Sequence, residues 1–304
     1  MRVFAAFLFL ACLADAAIVA DVRAAIADDD FKKAEAILQQ FRKQNGATPE
    51  WMEAYSWLGR GALARKRYDQ AETYAAETRR LALESLKSRK LDDEPHLPIA
   101  LGASIEVQGQ VFAGRGRRSE GVTFLQKELS TWRNTSMRAR IQKNVHLLSL
   151  EGQKPPALEI SEWLGPKPAT LASLKGKVVL VFFWAHWCPD CKYQAPILSR
   201  LRNKYGPKGL TIIGPTQRYG YVARGEDATP IQERTYIEQI RKQHYSVLPE
   251  MPVPLSEENF KLWGCSSTPT LVLLDRQGLV RMYHPGKMTY EELVAPVEQA
   301  LTRP

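Results

Sequence analysis

Two cysteines spaced as Cys188-Pro189-Asp190-Cys191 are the residues of this chain best equipped for chemistry. Pro189 suits the first position of a helix, where its missing N–H costs nothing, so Cys188 falls at the helix mouth. Unpaired amides and the positive end of the helix dipole there favour a thiolate over a thiol. Cys191 lies one turn further along the same face, where its sulfur can close a disulfide with Cys188. A thiolate that attacks and a second thiol that resolves are the minimum equipment for disulfide exchange. The same spacing is also half of a zinc site, which would have to recruit Cys265 and a histidine. The chain has no second C-x-x-C and no paired-histidine spacing, so no metal is expected. Upstream, the β-branched and aromatic run Val178–Phe183 predicts a buried strand, and Trp184, Ala185, His186 and Trp187 form its exit loop.

Phe183-Trp184-Ala185, Trp187-Cys188, Cys191-Lys192 and Ala195-Pro196-Ile197-Leu198 resemble the active-site segment of thioredoxins, with Pro196 where those proteins kink the helix. Thr268-Pro269-Thr270-Leu271-Val272-Leu273-Leu274-Asp275 resembles their second signature, a cis-proline loop running into a buried strand. The resemblance covers roughly residues 155–304, and Leu174-Lys175-Gly176-Lys177 is similar to the exported TlpA/ResA-like branch. It implies a thioredoxin fold, a mixed central sheet flanked by helices. It also implies an enzyme in which Cys188 is the nucleophile and Cys191 resolves. Trp187, Pro189, Asp190, Thr268 and Pro269 would contact the substrate, the backbone of Thr268 pairing with an extended peptide. No cofactor is implied beyond the redox-active Cys188–Cys191 disulfide.

The pattern departs from the family at the proton acceptor for the resolving thiol. Thioredoxins keep a buried acid where this chain has Phe182, and its accompanying lysine is replaced near Gly214. ResA-like proteins carry Glu three residues after the second cysteine, where this chain has Gln194. Water, Asp190 or an acid elsewhere must serve. Asp190 suits the helix dipole but repels a thiolate on Cys188, which predicts a pair less oxidising than a C-P-H-C site. His186 reads either as a residue that tunes Cys188 or as an exposed one, as the matching position in thioredoxins usually is, and Trp184 and Trp187 are expected to pack and shape the rim. Cys265 reads either as a small buried hydrophobe or as a third thiol near the pair.

The surrounding elements must hold these groups. Short strand-like pieces between Leu158 and Leu171 predict an N-terminal hairpin of the kind TlpA/ResA-like proteins carry. Leu210–Gly214 reads as the next buried strand. Pro215–Glu258 is long for a thioredoxin at this point and contains a predicted helix, Pro230–Tyr245, with either a substrate-gripping or an edge-elaborating role. Leu271–Leu274 and Val280–Tyr283 predict a hairpin across Arg276-Gln277-Gly278, and Tyr290–Leu301 a closing helix.

Residues 1–16 combine Arg2, a short apolar run and Ala14-Asp15-Ala16, the pattern of a secretory signal. An uncleaved anchor and lipidation at Cys12 are the alternatives, and each puts the protein in the periplasm or otherwise outside the cytoplasm. Three cysteines beyond that segment are too few for a disulfide-stapled scaffold. Residues 17–152 read as helical throughout. Phe31-Lys-Lys-Ala34 and Tyr68-Asp-Gln-Ala71 repeat one pattern 37 positions apart, with a degenerate third copy from Ile99 through Gly121 to Phe124. This resembles tetratricopeptide helix pairs, and implies either a partner-binding groove or plain helical packing. Glu151–Pro156 is the expected linker, giving a signal at 1–16, a helical tetratricopeptide-like domain at 17–152 and a thioredoxin-like domain at 153–304.

The net charge of +9 is spread over the chain, and no nucleic-acid motif accompanies it. The reading is an exported thiol–disulfide oxidoreductase that keeps client proteins reduced and is itself reduced by a thiol donor, with a further protein partner on the helical domain. One rival is a peroxiredoxin-like peroxidase, which needs Thr where this chain has Ala185. The other is a non-enzymatic helical scaffold with a peptide-binding thioredoxin-like domain, against which the intact cysteine pair argues.

Overall fold

The computed structural model describes residues 18–302; the expected signal segment and Cys12 lie outside them. The chain forms two compact units divided between Asn144 and Val145, inside a helix rather than at the 151–156 stretch.

The first unit is helical: α1 (18–27), α2 (Phe31–Asn45), α3 (Pro49–Ala64), α4 (Tyr68–Ser85), α5 (Leu97–Gly114), α6 (Arg118–Trp132) and the start of α7 (Arg138–Ser149). The helices α1–α6 make three hairpins closed by the same turn. Asp29, Lys66 and Gly116 each take a left-handed φ, of 59°, 58° and 79°. Behind each of them a backbone N–H reaches back five residues: Asp30 to Ala25, Arg67 to Ala62 and Arg117 to Phe112, at 2.8–2.9 Å. These bonds satisfy carbonyls that a helix end leaves open. The second helix of each hairpin then starts at Phe31, Tyr68 or Arg118 and buries Ala34, Ala71 or Gly121 one turn in. Small residues permit that closeness: a Cβ on Gly109 would meet the Leu125 side chain at 2.7 Å.

In the second unit, β2 (Val178–Phe183) is one of the two interior strands of a sheet ordered β3-β2-β5-β6, with β3 at Leu210–Ile213, β5 at Thr270–Leu274 and β6 at Val280–Pro285. β2 runs parallel to β3 and antiparallel to β5, with Val181 opposite both Ile213 and Val272. All six β2 residues are buried because both faces are covered. Val178, Leu180 and Phe182 face a core completed by α8 (Pro189–Tyr205), α9 (Pro230–His244) and α11 (Tyr290–Thr302). Val179, Val181 and Phe183 face a second core with Phe260 and Trp263, on and just after α10 (Glu257–Leu262). The β5–β6 turn is set by Asp275, whose carboxylate accepts from the N–H groups of Gln277 and Leu279, with Gly278 at φ 79°.

The expected N-terminal hairpin is not formed. Between Leu158 and Leu171 only β1 (Trp163–Leu164) is a strand, and it pairs antiparallel with β4 (Val253–Pro254), from the end of the long insertion. The prolines at 155, 156, 166 and 168 remove donors that a second local strand would need. Side chains tie the segment down instead. The Asn259 amide bonds the N–H and C=O of Glu159 at 2.7 and 2.8 Å, and Trp263 Nε1 donates to the Ala157 carbonyl at 3.0 Å. Within the insertion, Thr229 and Gln232 form a reciprocal cap that starts α9.

Candidate active site

The exit loop of β2 is held by its own tryptophan. Trp184 is fully buried, its indole N–H donates to the Gly214 carbonyl at 2.8 Å, and its backbone carbonyl accepts from the Thr216 hydroxyl at 2.7 Å. Beyond it the chain enters α8, with Cys188 as the N-cap and Pro189 in the first turn. Cys188 and Cys191 form a disulfide, their Cα atoms 5.3 Å apart. The Cys191 N–H points at the Cys188 sulfur at 3.1 Å, so the atom that would carry the thiolate charge already faces a helix-mouth amide. Both cysteines are nearly covered, at 2% and 0% exposure.

Across the cleft the Thr268–Pro269 peptide bond is cis, and the Thr268 carbonyl oxygen lies 3.4 Å from the Cys188 sulfur. In the disulfide this is a packing contact; a reduced Cys188 thiol would donate to that oxygen. The structure thus brings Pro189, Asp190, Thr268 and Pro269 around the cysteine pair. Trp187 stands at the rim, 46% exposed, edge-on to Tyr219 with ring centres 5.6 Å apart. Asp190 is half-exposed and accepts from the Lys287 ammonium at 2.7 Å, an interaction that raises the lysine above its ordinary pKa. The repulsion Asp190 exerts on a Cys188 thiolate is therefore partly offset by a cation 97 positions away in sequence.

The three departures from the thioredoxin pattern are filled by packing. Phe182 is buried against Tyr245. A Cβ at Gly214 would meet the Met251 sulfur at 2.7 Å. Gln194 is fully buried, and its amide bonds both the N–H and the C=O of Met288, at 2.9 and 3.0 Å. With both ends occupied, it braces the loop before α11 and does not receive protons.

His186 corrects the sequence expectation: it is 1% exposed, not on the surface. The insertion folds over it. Tyr219, Tyr221 and Tyr236 surround the ring edge-on at 5.3–5.5 Å between centres, and Nε2 lies 3.2 Å from Glu233 of α9. Glu233, equally buried, also accepts the N–H of Tyr219 at 2.5 Å and of Gly220 at 2.9 Å. Burial lowers the pKa of His186; Glu233 opposes that shift and Lys192 reinforces it. Sequence reading missed Glu233, although one signal was present: with Ile237 and Ile240 it falls on one stripe of α9, an acid on the apolar face.

Cys265 is a buried free thiol in the opposite core, with Val179 and Val181, so it is not a third thiol beside the pair. Among the described residues, no group of three or more His, Cys, Asp or Glu is placed to hold a metal ion.

Residues 150–218, from the end of α7 to just past β3, match the Redoxin family. A thiol-disulfide oxidoreductase ResA of Bacillus cereus is 30% identical over 145 residues, which cover 47% of this chain and 73% of that protein. The thiol:disulfide interchange protein DsbE of Xylella fastidiosa is 26% identical over 166 residues, covering 54% of this chain and 71% of that one. Among solved structures, a DsbE-type protein from Chlorobium tepidum aligns over 50% of this chain and 97% of its own, at 25% identity and a TM-score of 0.40. Through the half of the chain that carries the Cys188–Cys191 disulfide, this protein belongs to the ResA family of thiol-disulfide oxidoreductases.

Proposed function

We propose that Cys188 attacks client disulfides and Cys191 resolves the product, so that the protein reduces specific clients outside the cytoplasm. The observation that carries this reading is the position of the Cys188 sulfur, with the Cys191 amide on one side and the Thr268 carbonyl on the other. The Cys188 thiolate attacks one sulfur of a client disulfide. The new bond is a mixed disulfide, and the other client sulfur leaves as a thiolate and takes a proton. Cys191 then loses its proton, attacks the Cys188 sulfur and expels the second client sulfur. The client gains two electrons and two protons, and the Cys188–Cys191 disulfide waits for a dithiol donor to reduce it.

The client backbone would lie extended along Thr268, with Trp187 and Pro189 forming the rim on which it rests. The export reading rests on residues 1–16. The helical unit is proposed as tetratricopeptide-like; the recurrent hairpin turn and the small residue one turn into each second helix support that reading. A protein partner is proposed for it.

Reduction of insulin disulfides in the presence of a dithiol tests the reading. Wild type is expected to accelerate the reaction and Cys188→Ser to lose the acceleration entirely. Cys191→Ala is expected to accumulate mixed disulfides through Cys188, which can be isolated with the clients attached. A wild-type rate equal to the uncatalysed one would overturn the assignment.

A further inference from the structure

We infer that Glu233 is a positioning residue of the exchange reaction: through His186 it holds the loop that carries Cys188 and sets how readily that cysteine ionises. The inference rests on the proposed role of Cys188 as the attacking sulfur. Glu233 joins two chain segments, the exit loop of β2 and the insertion loop. One oxygen takes the Tyr219 N–H and faces His186 Nε2, and the other takes the Gly220 N–H. Tyr219 in turn supports Trp187, the residue between His186 and Cys188. The clamp therefore runs from α9 through the insertion loop to the mouth of α8.

The groups facing His186 can be named from each element packed on it. Glu233 and Tyr236 come from α9, Tyr219 and Tyr221 from the insertion loop, and Lys192 acts from α8. Burial keeps the ring neutral near pH 7, so Nε2–H donates to the carboxylate and the pair carries one negative charge. Three N–H donors stabilise that charge on Glu233. This buried carboxylate meets the Cys188 loop at His186, two residues before the cysteine, and has the same sign as the thiolate Cys188 must form, so it opposes ionisation there. When His186 gains a proton in acid, the pair becomes neutral overall and the opposition is relieved.

The test is the pH profile of Cys188 alkylation by iodoacetamide in the reduced full-length protein, read on the Cys188 peptide. A parallel arm measures the equilibrium of the Cys188–Cys191 pair with glutathione. Glu233→Gln is expected to make Cys188 more acidic, with alkylation below the midpoint faster by about threefold or more. The glutathione equilibrium should move toward the dithiol by a similar factor. Glu233→Asp, which keeps the charge, is expected to restore much of the wild-type profile. His186→Gln can still donate to Glu233 but cannot protonate. It is expected to match wild type near neutrality and to lose the acid-side inflection that wild type shows. If Glu233→Gln forms the disulfide and folds normally yet gives a wild-type profile and equilibrium, Glu233 is only structural and the inference fails. If that variant does not fold, the histidine arm decides: an acid inflection absent from wild type, or retained in His186→Gln, overturns it. Loss of exchange in Cys188→Ser alongside either result would leave the family reaction intact and reject only the role of Glu233.

Discussion

The two faces of the central sheet each hold cysteine, and burial does not distinguish them. Cys188 and Cys191 are 2% and 0% exposed on one face, and Cys265 is 5% exposed on the other. What differs is the company. The first face has a helix mouth, a backbone amide aimed at sulfur and, two residues before Cys188, a buried histidine paired with Glu233. The second is an apolar core of Val179, Val181, Phe260 and Trp263, where burial pushes the Cys265 thiol well above its ordinary value, against the opposing effect of the Thr270 side chain. A thiol in the second setting stays protonated and inert, whereas one in the first is prepared to ionise. Reactivity in this fold is a property of where the chain ends a strand and begins a helix.

The contrast breaks most sharply in activity. Cys188→Ser is expected to abolish disulfide exchange, while Cys265→Ala leaves its rate within about twofold of wild type, since that sulfur faces the other core. A Cys265→Ala enzyme as inactive as Cys188→Ser would refute the separation of the two faces. The polar bracing of the disulfide face comes next. Gln194→Ala leaves the N–H and C=O of Met288 without their buried partner and is expected to cost about 2–4 kcal/mol in denaturant unfolding. Exchange should continue in the molecules that remain folded. A cost below about 1 kcal/mol would mean that water reaches those groups.

A third outcome separates the faces by pH. Cys265 has a raised pKa in the folded state, so above about pH 8.5 the unfolded chain releases this proton while the native one keeps it. Stability contributed by the protonated native thiol is complete below that pH and is lost as pH rises toward the folded value. Between about pH 8.5 and 10 the oxidised protein is expected to lose up to about 1.4 kcal/mol per pH unit from this group. The Cys188–Cys191 disulfide contributes nothing to the slope. Cys265→Ala should flatten it, and an unchanged slope in that variant would show that the buried thiol is not its source.

What sequence reading recovered was local. A six-residue apolar run predicts β2, Pro189 marks the first turn of α8, and Thr268-Pro269 leads into β5; each is a property of neighbouring residues. The start of α9 was equally legible, because Thr229-Pro230 and Gln232 carry the cap within four residues. What stayed hidden joins distant positions. The partner of β1 comes from the insertion, the acid behind His186 lies 47 residues on, and the cation on Asp190 lies 97 residues on. The error on His186 has the same origin. A thioredoxin lacking this insertion would leave the position open, and only the folded path of 215–258 shows that three tyrosines close over it. Gln194 reads in the sequence only as the lack of an acid, and its bracing of Met288 depends on a loop 94 residues away.

The smallest expected effect concerns that distant cation. Lys287 and Asp190 are each half-exposed, so water and salt screen their attraction and little stability follows from it. Its consequence should appear at Cys188 instead. Lys287→Ala leaves the Asp190 charge unopposed in the first turn of α8, beside the sulfur that must become a thiolate. The Cys188 thiol is expected to become slightly less acidic, slowing alkylation on the acid side of its titration by about twofold or less. Asp190→Asn should act in the opposite direction by a similar amount. Because both charges face solvent, each effect should fade in about 1 M salt, where screening acts over roughly 3 Å. The Glu233 effect, inside the protein, should largely persist there. Equal salt sensitivity for the surface pair and the buried carboxylate would place them in the same dielectric, contrary to their burial.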